Sequence, residues 1–154
     1  MKVAAVQLTS TGNVTENQEL ALAKIREAAG NGARLIVLPE ATAQNFRSGR
    51  LDEQAQTLEG PFATAIQALA EELEVTVVAG MFCPADTVER EGKTINRVTN
   101  TALIAGPGVL GGYDKIHTYD AFDYRESDTV LAGESLVAFD VDDLIVGVAT
   151  CYDI

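Results

Sequence analysis

The run Leu35-Ile36-Val37-Leu38, closed by Pro39, constrains this chain more than any other feature. Four consecutive apolar residues between Gly30-Asn31-Gly32 and a proline read as a strand buried on both faces, as in a parallel or mixed sheet. Such a strand needs a layer on each side, so the expected fold class is α/β, a mixed sheet with helices packed against it. The preceding residues agree. Val3 to Leu8 is a second short apolar run that ends in turn chemistry from Thr9 to Asn13. Thr15-Glu16-Asn17-Gln18 then reads as a capping box. Leu22, Ile25 and Ala29 mark one face of a helix, which Gly30 and Gly32 stop.

A second unit repeats the order. Gly60-Pro61 starts a helix with proline at its first position. Phe62, Ile66, Leu69 and Leu73 lie on one face at spacings of three and four. Val75 to Gly80 is the next strand, and the polar stretch Pro84 to Thr94 reads as a surface loop or hairpin tip. Thr101 to Ala105 and Val109 to Tyr113 form a strand pair around the turn Gly106-Pro107-Gly108. Leu136 to Phe139 and Leu144 to Ala149 form another hairpin, with Asp140-Val141-Asp142-Asp143 between them. All of this fits one domain, residues 1–154.

Charge and composition exclude several functions. Eleven Lys and Arg face 23 Asp and Glu, a formal net charge of −12. No basic patch exists for phosphates, so neither nucleic acid nor an anionic membrane is an expected partner. No apolar run approaches the roughly 18–20 residues of a membrane span. The N-terminus lacks a signal-peptide core, because Gln7 interrupts it. Two cysteines and one histidine make neither a disulfide scaffold nor a metal site. A cytoplasmic location, with no cofactor, is the expectation.

Three positions share one address. Glu40 follows the strand at 35–38, Lys115 the strand at 109–113, and Cys151 the strand at 144–149. Side chains at the carboxyl ends of neighbouring strands meet where α/β sheets place ligands. A carboxylate, an ammonium and a thiol there form a self-consistent acyl-transfer set. The thiolate attacks, with its pKa lowered by the cation. The carboxylate moves protons and the lysine steadies an oxyanion.

Leu38-Pro39-Glu40, Tyr113-Asp114-Lys115-Ile116-His117 and Cys151-Tyr152-Asp153-Ile154 resemble the three signature segments of the nitrilase superfamily of carbon–nitrogen hydrolases. Val3-Ala4-Ala5-Val6-Gln7-Leu8, Asn100-Thr101-Ala102-Leu103 and Arg125-Glu126-Ser127-Asp128-Thr129 look like the same family. Each motif is weak alone; all of them in order, over the whole chain, make a specific signal. The resemblance implies an αββα sandwich and hydrolysis of a small linear amide, or a nitrile, through a Cys thioester. It also implies Glu40 as general base and acid, Lys115 as oxyanion stabiliser and Cys151 as nucleophile. Glu126 would be a supporting second glutamate, and the Tyr152 N–H would complete the oxyanion site. Family members continue well past the cysteine. The chain is therefore expected to be the N-terminal part of such a domain, marginally stable and slow by itself, and a homo-oligomer at full length.

Plainer readings stand beside these. Cys83 reads as a buried inert thiol. His117 reads as a structural neighbour of Lys115, and Glu71-Glu72 and Asp142-Asp143 as surface charge. The rival functions are an inactive nitrilase-fold protein, a nitrilase or carbamoylase with the same triad, and a thiol redox protein. The absence of a resolving cysteine near Cys151 weakens the last.

Overall fold

The structure, a computed structural model, describes residues 1–122 and 124–154. Its centre is a mixed sheet in the order β1-β2-β3-β4-β5, made of β1 (Val3–Ala5), β2 (Leu35–Val37), β3 (Thr76–Arg90), β4 (Lys93–Gly106) and β5 (Val109–Asp114). β1, β2 and β3 pair in parallel, and β3, β4 and β5 pair antiparallel. Helices α1 (Val14–Gly30) and α2 (Pro61–Glu72) follow β1 and β2 in the chain. Two short strands, β6 (Asp120–Ala121) and β7 (Tyr124–Arg125), form a hairpin, and β8 (Val130–Leu131) runs parallel to β4. A separate hairpin, β9 (Ala138–Val141) with β10 (Leu144–Gly147), completes the fold.

The period of two along each strand sorts side chains into two cores. Ile36, Val77, Ala79, Leu103 and Ala105 face the helices, meeting Ile25, Phe62 and Ile66. Their neighbours Leu35, Val78 and Ile104 point the other way, against Phe139, Val141 and Val146 of the β9–β10 hairpin. Three layers result, helix, sheet and second sheet, as the doubly buried β2 requires. Ile145, on the outward side of the hairpin, is exposed, and so are Leu144, Leu136 and Ile154.

Two expectations are corrected and one alternative is decided. The α1 N-cap is Asn13 and not Thr15: its side chain accepts from the Thr15 and Glu16 N–H groups at 2.9 and 3.2 Å. Asparagine caps as well as threonine, and an earlier start buries Val14. Of the two readings of Pro84 to Thr94, the loop gives way to the hairpin: β3 and β4 continue as a two-stranded arm that turns only at Glu91-Gly92. The arm is polar on both sides because it projects beyond the helices, and its register shifts after Pro84, which has no N–H to give the ladder. Finally, the strand before Cys151 belongs to the second sheet, so Cys151 does not end a strand neighbouring those of Glu40 and Lys115.

Two glycines seat the loops that leave the main sheet. A Cβ on Gly80 would lie 1.5 Å from the Glu40 carbonyl oxygen, and one on Gly133 would lie 2.1 Å from that of Asp114. The 39–43 turn is thus pressed onto β3, where the Gly80 N–H donates to Pro39 and its carbonyl accepts from Ala43. Gly80→Ala should therefore cost more than the ~1–3 kcal/mol of ordinary overpacking, because backbone and not a flexible side chain must move. Urea denaturation checks this, and a loss below about 1 kcal/mol would show that the close approach is dispensable.

Candidate active site

Lys115 leaves the end of β5 and is almost wholly buried, at 2% exposure. Its Nζ donates to Glu126 Oε2 at 2.8 Å and to Glu40 Oε1 at 3.1 Å. Burial works against the ammonium, yet the Glu126 hydrogen bond and the charges of both carboxylates outweigh it and raise the lysine above its usual range. Glu126, equally buried, starts a single 3-10 turn, Glu126–Asp128, and also accepts from the Tyr119 N–H at 2.7 Å.

Asn100 on β4 ties the carboxylates together. Its amide nitrogen donates to Glu40 Oε1 at 2.7 Å and to Glu126 Oε1 at 3.2 Å, and its carbonyl accepts from the Lys115 N–H. Sequence reading placed Asn100 in a motif but gave it no role. Flanked by Thr99 and Thr101, it stands out by no local pattern. The hydrogen bonds from Asn100 and Lys115 to Glu40 both end on Oε1.

Cys151 opens a second 3-10 turn, Cys151–Asp153, and is exposed. Its φ of 51° puts a non-glycine residue in the left-handed region, a strain of about 1–3 kcal/mol that surrounding structure must hold. The N–H groups that open such a turn have no acceptor within it, and Tyr152 is one of them. The cation-lowered thiol pKa is corrected by the structure. Burial, the charge of Glu40 and a hydrogen bond to its carboxylate push the Cys151 thiol up, against the smaller downward pull of Lys115. One ammonium faces two carboxylates, so the thiol keeps its proton at rest.

Glu40, Lys115, Glu126 and Cys151 line one pocket of about 390 Å³, with Phe46, Tyr119 and Tyr124 among its walls. Arg47 also lines it and makes no side-chain ion pair among the described residues. Its loop is fixed from below: the buried Gln44 side chain donates to Ser48 and Arg50, and the Asn45 side chain accepts from the Arg47 N–H. No pattern in the sequence singled Arg47 out. Cys83 lies outside this pocket, half-buried, with its thiol raised chiefly by burial. His117 does not touch Lys115 but faces Asp153. No cluster suited to a metal occurs among the described residues.

The layered α/β fold thus gathers a buried ammonium, two carboxylates and a thiol in one pocket. The chain is a member of the carbon–nitrogen hydrolase family, whose model matches residues 2–154. It is 40% identical to a hydrolase of Mycobacterium tuberculosis, covering 100% of this chain and 53% of that protein. It is 35% identical to a deaminated glutathione amidase of Synechocystis, over 98% of this chain and 57% of that one. A CN-hydrolase superfamily structure from Xanthomonas campestris superposes with a TM-score of 0.79 at 24% identity, covering 98% of this chain and 53% of that chain. The chain thus spans about half the length of these relatives.

Removing the ammonium would leave two carboxylates facing each other without a cation. Lys115→Met should cost about 3–5 kcal/mol of stability in urea denaturation. A loss under about 1 kcal/mol would mean that the carboxylates do not depend on it.

Proposed function

We propose that the site hydrolyses the C–N bond of a small linear amide, through a thioester on Cys151, to ammonia and a carboxylic acid. The observation that carries this reading is the shared Lys115, which holds Glu40 by Oε1 while the same carboxylate meets the Cys151 thiol. The Glu40 carboxylate takes the Cys151 proton as Sγ attacks the amide carbon, so no standing thiolate is needed. The third Lys115 N–H and the Tyr152 N–H receive the oxyanion. The tetrahedral intermediate collapses, Glu40 returns the proton to the leaving nitrogen, and ammonia departs. Water then enters, gives its proton to Glu40 and attacks the thioester carbonyl. Acid leaves as Sγ recovers the proton from Glu40, so one amide and one water become one acid and one ammonia.

Glu126 and Asn100 serve this sequence by fixing Lys115 and Glu40. Arg47 adds a cation at the pocket wall, where the other described charges sum to −1. An amide bearing a carboxylate at its far end suits that wall better than a neutral one. The amidase names of relatives support amides over nitriles or carbamoyl compounds.

Ammonia release from succinamate, butyramide and butyronitrile tests both the chemistry and the charge preference. Cys151→Ala, Glu40→Gln and Lys115→Arg should each lower turnover at least about 10³-fold. Lys115→Arg fails because a guanidinium is larger and its charge is spread. Arg47→Gln should raise KM for succinamate by about tenfold and leave butyramide unchanged. Near-native turnover in any of the first three variants would overturn that residue's role.

A further inference from the structure

Asp153, two residues after the thiol, accepts more hydrogen bonds than either glutamate of the pocket. Its Oδ2 accepts from the Tyr113 hydroxyl at 2.6 Å and from the Thr150 N–H at 2.9 Å. Its Oδ1 faces the His117 N–H at 2.9 Å and His117 Nδ1 at 3.0 Å. A carboxylate has about four acceptor positions, and these contacts fill them. The donors are not scattered. Tyr113 lies two residues before Lys115 and His117 two residues after it, whereas Thr150 lies directly before Cys151. One carboxylate therefore joins the turn carrying the thiol to both sides of the buried ammonium.

The junction is built to stay in one protonation state. The Asp153 carboxyl, held by Tyr113, Thr150 and His117 against the cost of its burial, falls to about 2. The buried Tyr113 phenol, facing that carboxylate, is pushed up to about 12. Acceptor and donor thus keep their roles across the neutral range. Cys151 needs such an anchor. It adopts a left-handed φ, and it comes from the second sheet while its partners come from the first.

We propose that Asp153 is a positioning residue that clamps the Cys151 turn to the Lys115 segment and thereby holds the thiol on Glu40. This rests on the pairing of Cys151 with Glu40 in the proposed function. Asp153 touches no reacting atom; it acts through the backbone on either side of the thiol.

The test reads alkylation of Cys151 by iodoacetamide against pH, in protein carrying Cys83→Ser so that one thiol remains. Around Cys151 the titratable and charged groups are Glu40, Lys115 and Glu126, with Arg47, Tyr119 and Tyr124 on the same pocket wall. With the clamp intact, Glu40→Gln should lower the midpoint of the profile, because the thiol loses its carboxylate neighbour. Asp153→Ala should lower it too and speed alkylation at pH 7.5 by about threefold or more, as the freed thiol regains an ordinary thiolate fraction. In the Asp153→Ala background, Glu40→Gln should then have no further effect. Asp153→Asn keeps one acceptor oxygen and should give a smaller shift in the same direction, and it serves if Asp153→Ala does not fold. An undiminished Glu40→Gln effect in folded Asp153→Ala protein would overturn the clamp, and so would failure of both Asp153 variants to fold. No Glu40→Gln effect with the clamp intact would instead overturn the Cys151–Glu40 pairing, and the catalytic reading with it.

Discussion

The ammonium of Lys115 is the charge around which the rest of the site is arranged. A buried lysine is tolerated only where its charge is met, and here Glu126 and Glu40 meet it at 2.8 and 3.1 Å. Two carboxylates this close would repel each other, so each depends on the cation between them and on the Asn100 amide that bridges them. Glu40 Oε1 is consequently held by both Lys115 and Asn100, and the Cys151 thiol meets the same carboxylate.

The fold supplies the fixed points. Leu35 and Ile36 of β2, and the first half of β3, are buried on both faces and cannot shift register without moving a core residue into the wrong layer. Gly80 lets the Glu40 turn lie directly on β3, and Gly133 does the same for the segment before Lys115. The thiol enters from the other sheet, so its position relative to Glu40 depends on side-chain junctions between layers and not on a shared ladder. The strained turn at Cys151 is the softest part of the arrangement and also the part with the densest hydrogen bonding.

What was legible in the sequence follows from the range of the forces involved. The doubly buried run at 35–38 and the Phe62, Ile66, Leu69 face are periodic patterns fixed by neighbours three or four residues away, and the structure keeps them. Asn13 against Thr15 was a choice between two good caps, which tertiary burial of Val14 decides. The arm at 84–94 read equally as a loop or a hairpin tip because polarity does not distinguish the two, and the paired ladder decides for the hairpin. Residues 40, 115, 126 and 151 share a pocket, as their motifs implied. The partners of those residues were invisible. Asn100 meets Glu40 across 60 positions and Asp153 meets Tyr113 across 40, and no local pattern encodes such a meeting. The sign of the Cys151 shift was misread for the same reason, since it depends on counting carboxylates that only the fold assembles.

The claim that most needs a direct test is that the amide carbon becomes bonded to Cys151. Protein mixed with succinamate and quenched in acid within the turnover time can be digested and mapped by mass spectrometry. The account predicts a succinyl adduct confined to the peptide containing Cys151, absent from the Cys83 peptide and lost in Cys151→Ala. Ammonia formed at the same rate with no adduct at any time point, or an adduct that survives Cys151→Ala, would contradict it.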